Sequence, residues 1–239
     1  MQLLNEAFRA VQRNLGPLVS YIFFSAVMTF IRILTNKWIE ALDKETLSPL
    51  IEHGFPFARD ILVAAGYAIL ISIVFARMGR EIDRPFWKIE TDREAVRRFF
   101  KLWFILFLLN ILAMDLVGKM IVASPDEGQL LAVMWLVGYS FLVLIGGSIM
   151  FYGHCRKEEI AQAMSTLLNQ LPLTLLAAIV SFFFNSLVLE ILRTGILPDL
   201  ATPALDIIEG YGFCLVFAFT WLICMRNRDE ESEDEDFDF

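Results

Sequence analysis

The chain sets long apolar stretches between short clusters of charge, and the length of those stretches predicts its elements. A helix needs roughly 20 mostly apolar residues to cross about 30 Å of hydrocarbon. Six stretches meet that requirement: residues 17–36, 57–77, 99–122, 129–152, 171–192 and 204–225. The runs Gly128 to Cys155 and Ile160 to Leu189 carry no charged residue, whereas Ile61–Ala76 and Gly210–Met225 are charge-free for only 16 residues. The last two spans therefore draw charged residues toward one end of their helices. Ahead of the first span, residues 1–16 place Leu3, Leu4, Phe8, Val11 and Leu15 on one helical face. That pattern reads as a retained amphipathic lead-in helix rather than a cleaved leader.

The expected fold class is all-α: a polytopic membrane protein of six transmembrane helices arranged as three hairpins. The lead-in helix (1–16) precedes the bundle (17–225), and a disordered acidic C-terminal tail (226–239) follows it. Entrances to the odd spans resemble one another, as in Glu6-Ala7-Phe8-Arg9 and Glu94-Ala95-Val96-Arg97. Amphipathic lead-ins converge on such sequences without true repetition. Thr91-Asp92-Arg93-Glu94 fits a capping box and predicts that the third span's helix begins at about residue 92. Trp38, Ile39, Leu42, Leu47, Leu50 and Ile51 predict that the loop 37–57 lies along the membrane interface.

Composition agrees with this reading: 57% of the 239 residues are hydrophobic and 22 are Phe. A soluble domain holds fewer apolar residues than that, so a soluble enzyme and a nucleic-acid binder are excluded. Positive loops stay in the cytoplasm. With the N-terminus inside, 14 of the 20 Lys and Arg fall on the inner side. The outer side keeps only Arg32, Lys37, Lys44, Arg59, Lys119 and Arg193. Both termini are therefore expected in the cytoplasm. Short loops and few cysteines point to a bacterial inner membrane. Cys155, Cys214 and Cys224 stand singly, and nothing near His154-Cys155 completes a metal-ligand set. No metal and no cofactor is expected, and no catalytic motif is present.

Small residues recur on three spans: Ala64, Ala68, Ser72 and Ala76; Ala177 and Ser181 followed by Asn185; and Gly138, Gly146, Gly147 and Ser148. Such stripes let helix backbones approach closely. Asn110 and Asn185, near mid-span, are expected to hydrogen-bond across helices. Charges within spans are costly and draw attention to function. Nine gather toward the outer leaflet: Arg32, Arg59, Asp60, Asp115, Lys119, Glu190, Arg193, Asp206 and Glu209. Their signs nearly cancel, which leaves two readings. One is an ion-pair ring with snorkelling ends. The other is a shallow outward-facing polar pocket, with Asp115 and Glu190 as its deepest members.

The formal charge of −8 resides wholly in residues 229–239, which hold eight acids and no base. Such a block should not collapse on its own. It closes on Glu235, Asp236, Phe237, Asp238 and Phe239, an acidic-aromatic sequence suited to docking. Two functions from different classes follow. The first is a non-enzymatic scaffold, assembly factor or accessory subunit of a membrane complex. Its partners would be the lipid bilayer, another protein and a second copy of the chain. The second is a small-solute or lipid transporter or channel built on the outer charges.

Overall fold

The computed structural model describes residues 2–41, 54–82, 91–194 and 205–236. Eight helices follow one another there: α1 (Gln2–Arg13), α2 (Leu15–Ala41), α3 (Phe55–Ile82), α4 (Asp92–Ala123), α5 (Pro125–Tyr152), α6 (Lys157–Asn169), α7 (Leu171–Thr194) and α8 (Leu205–Asp236). No strand forms among the described residues. Helices α2, α3, α4, α5 and α8 are each long and apolar enough to cross a membrane. The bent pair α6–α7 brings the number to six if it counts as one span. Much of loop 37–57, and the Arg84–Trp87 segment, lie outside the described residues.

Local chemistry explains the boundaries. Thr91 caps α4, its Oγ1 accepting from the Glu94 backbone N–H at 3.2 Å, as the capping box predicts. Only Ser124 separates α4 from α5, and Pro125 opens α5 where a missing N–H costs nothing. The turn is so tight that a Cβ on Gly128 would meet the Ile121 backbone nitrogen at 2.4 Å. Helix α5 ends at Gly153, whose φ of 88° closes the C-cap.

The uncharged run from Ile160 to Leu189 is not one straight helix. It bends by 96° where α6 meets α7. Pro172 supplies the reason, because its ring clashes with the carbonyl four residues back and has no N–H to donate. Thr174 Oγ1 covers the turn by donating to the Leu167 carbonyl at 2.8 Å. The final helix departs from expectation in the other direction. It does not give way to coil at residue 226 but runs to Asp236. No Gly or Pro follows Gly212 to stop it. Arg226 Nε donates to Glu230 Oε1 at 2.8 Å, and Gln170 of α6 donates to Glu230 Oε2 at 2.6 Å. Such i,i+4 support carries the helix past the apolar stretch. Phe237 and Phe239 lie outside the described residues, as do the side chains of Glu235 and Asp236.

The lead-in helix joins the bundle instead of standing apart: Ala7 and Val11 of α1 are fully buried, and Phe8 meets Tyr211 of α8 at 6.2 Å between ring centroids. Helix α3 packs along α4 more extensively than along α2, so the closest interface joins the first two expected hairpins rather than lying within either. The stripe Ala64, Ala68, Ser72 and Ala76 is completely buried. Gly79 admits the Trp221 ring, Gly146 faces Trp103, and Gly147 faces Phe217 and Thr220. Gly138 faces open space and belongs to no such contact. Around these positions Phe75 stacks on Phe217 at 3.6 Å and meets Trp103 edge-on at 5.3 Å. Large apolar side chains such as Phe23, Leu62, Leu130, Ile179 and Phe183 point outward. Their number suits lipid rather than water.

Candidate functional site

Close packing gives way at one end of the bundle, where α2 finishes and α3 and α8 begin. A cavity of about 390 Å³ opens there between α2, α3, α4 and α8. That volume lies within the range of small-molecule sites and far exceeds the space of a single water. Helix α2 lines it with Tyr21, Thr29, Arg32 and Asn36, which share one face with Ser25 because the five recur three or four residues apart. Val19, Phe23, Phe30 and Leu34 take the opposite, exposed face.

Asp206, in the first turn of α8, is the centre of the polar wall. It is only 7% exposed. Its Oδ1 accepts from Ser25 Oγ at 2.8 Å and from Thr29 Oγ1 at 3.3 Å. Ser25 in turn lies 2.8 Å from the Tyr67 hydroxyl, so a chain of hydroxyls from α3 and α2 ends on the carboxylate. Asp206 Oδ2 is buried and has no hydrogen-bond partner among the described residues. Buried polar atoms in folded proteins are nearly always paired, so an orphaned oxygen on a residue that lines a cavity calls for an explanation. Glu209 lines the same cavity three residues further along α8, on the same helical face. Aromatic rings complete the wall, with Tyr67 5.2 Å from Phe107 and 6.0 Å from Tyr21 between centroids. Asn110 also borders the cavity, and its Oδ1 accepts from Trp135 Nε1 of α5 at 2.9 Å.

The nine charges expected at the outer leaflet therefore separate into groups. Arg32, Asp206 and Glu209 meet at the cavity, with Arg32 exposed at its mouth. Arg59 and Asp60 pair with each other at 2.9 Å. They stand at the rim, since Arg59 also donates to Asn36 at 2.8 Å. Asp115 and Lys119 pair at 2.8 Å on an open face of α4, with their side chains 52% and 74% exposed. Asp115 is thus not a deep member of the site, because its helix turns that face away from the bundle. Glu190 and Arg193 sit on α7 with side chains outside what the structure describes. The deepest acid is Asp206, and hydroxyls rather than a base hold it.

Sequence reasoning missed the hydroxyl and aromatic members: Tyr21, Ser25, Thr29, Asn36 and Tyr67. A signal exists in the five-residue polar stripe of α2, in which only Arg32 is charged. Asn185 also differs from expectation. It turns back to the Ser181 carbonyl of its own helix at 2.9 Å instead of crossing to a neighbour. At the other end of the bundle, Arg98 donates to the Gly153 carbonyl at 3.0 Å and lies 3.2 Å from His154 Nε2. Burial and the Glu159 carboxylate push the Cys155 thiol up, away from the reactive thiolate. No group of three or more potential metal ligands gathers among the described residues.

Comparison with protein-family models, with curated proteins and with solved structures finds no match to this chain.

Proposed function

We propose that this chain is a multipass membrane protein that takes a small polar solute into the cavity between α2, α3, α4 and α8, as a transporter or channel does. One observation carries the reading: a buried carboxylate residue, Asp206, lines a molecule-sized cavity, with one oxygen held by Ser25 and Thr29 and the other without a partner among the described residues. Folding alone does not favour that arrangement, since an apolar residue there would avoid the desolvation cost. A ligand that completes the hydrogen bonding of Asp206 accounts for it. The charge distribution orients the site. With 14 Lys and Arg on the side of the termini, the termini are cytoplasmic and the cavity opens outward. Short loops favour a bacterial inner membrane.

Reconstitution tests this directly. Proteoliposomes containing the full chain are expected to show saturable uptake or exchange of at least one solute from a panel of amines, amino acids and polyols. Asp206→Asn should abolish it. Absence of both saturable binding and flux across that panel would overturn the reading.

A scaffold or accessory-subunit role keeps one supporting observation, the continuation of α8 to Asp236, which carries the acidic residues beyond the apolar stretch on a helix. Deleting residues 229–239 should then change the proteins that co-purify in mild detergent, and an unchanged set would sink that role.

A further inference from the structure

The walls of the cavity differ in what they offer a ligand. Its buried part is acidic and aromatic. Asp206 and Glu209 come from α8, and Tyr21, Tyr67 and Phe107 from α2, α3 and α4. The hydroxyl protons beside Asp206 are already committed, because Ser25 and Thr29 both donate to Oδ1. What remains unmet is an acceptor, Oδ2, and an acceptor is completed by an N–H or O–H donor. The donor that offsets a desolvated carboxylate best is itself positively charged, since charge-assisted bonds are about twice as strong as neutral ones.

Size and shape narrow the donor further. A bare monovalent ion would leave most of about 390 Å³ empty and would set no carbon skeleton against the aromatic side of the wall. An ammonium carried on a short carbon skeleton fits both halves of the wall. Its head can sit on the acidic side of the wall, beside Asp206 and Glu209, and its skeleton can lie along the aromatic side, which the Tyr67–Phe107 pair forms. Among the described residues of the lining Arg32 is the one cation, and it is exposed. Counting it against Asp206 and Glu209 leaves two acidic residues to one basic residue in that lining.

Resting on the reading of the cavity as a solute site, we infer that its substrate class is a small organic ammonium ion, anchored by the Asp206 carboxyl group and admitted past Arg32. Glu209 sets the field that attracts the cation. The aromatic wall selects for a carbon skeleton over a bare ion.

A charge series on one skeleton tests this with the full-length chain in phosphatidylcholine nanodiscs. Butylammonium, butanol and butyrate have the same chain and differ in the charge of the head group. Calorimetric titration should show saturable binding of butylammonium alone, with butanol and butyrate at least about tenfold weaker. Asp206→Asn should weaken butylammonium binding by at least about tenfold, and Glu209→Gln by a smaller factor. Arg32→Gln should strengthen it, because a like charge leaves the mouth. Butanol or butyrate binding as well as butylammonium would overturn the ammonium assignment while leaving a solute cavity standing. Absence of saturable binding by all three compounds, together with no flux for the wider panel, would overturn both. Should Asp206→Asn fail to fold, the comparison of the three compounds on the unaltered protein decides the matter by itself.

Discussion

The two ends of helix α8 have opposite uses. From Phe213 to Cys224 nearly every side chain is buried against rings and small residues, with Phe217 on Phe75 at 3.6 Å and Trp221 over Gly79. From Leu205 to Glu209 the same helix borders a cavity and carries a carboxylate oxygen without a partner among the described residues. One end gains from contact, and the other gives up contact and hydrogen bonding. The difference teaches that stability and chemistry are separated along one helix. Their mutational signatures should therefore have opposite signs.

The largest effect is expected at the packed end. Phe217→Ala removes a ring from the centre of the aromatic cluster and should cost about 3–5 kcal/mol. A detergent-solubilised melting curve should show a large fall in Tm, and butylammonium affinity measured below that Tm should change little. At the cavity end, Asp206→Asn should do the reverse. Removing a buried charge whose partners are only hydroxyls should raise stability by about 1–3 kcal/mol while binding is lost. A lower Tm in that variant would show that Asp206 is a structural hub and would erase the contrast. An intermediate effect is expected at Trp135→Phe, which leaves Asn110 Oδ1 without its donor from α5. Cross-helix bonds in membranes are worth about 0.6–1.7 kcal/mol, so the variant should melt slightly lower. The smallest effect belongs to Asp115→Asn. Its pair with Lys119 is half exposed or more on both sides. The pair faces away from the bundle, so binding should stay within error of the parent protein. A loss of flux in Asp115→Asn would return that residue to the site from which the geometry removes it.

Much of the fold was legible because helices that span lipid must satisfy their own backbone and show lipid an apolar surface. The six stretches overlap the helices α2, α3, α4, α5, α7 and α8. The Thr91 cap and the stripe Ala64, Ala68, Ser72 and Ala76 were readable from local spacing. The candidate site was less legible. Charge marked Asp206 and Glu209, which line one cavity, but set Asp115 beside them, because every charge near a span end carries the same penalty in one dimension. Hydroxyls went unnoticed for a related reason. A lone Ser or Thr in a span is unremarkable until a partner faces it.

Sequence alone determined that this chain is helical and apolar enough for a membrane, where α4 begins, and that its excess negative charge lies in the last eleven residues. Each of these depends on near neighbours along the chain: hydrophobic runs, caps and charge blocks. Only the tertiary structure decided that α6 and α7 are bent by 96° and that α8 continues to Asp236. It also decided that Ser25, Thr29, Tyr67 and Asp206 form one hydroxyl-carboxylate chain. Ser25 and Asp206 are 181 positions apart. Their meeting follows from how α2 and α8 rotate their faces toward each other, and that rotation is set by packing over the whole bundle, which no local pattern encodes.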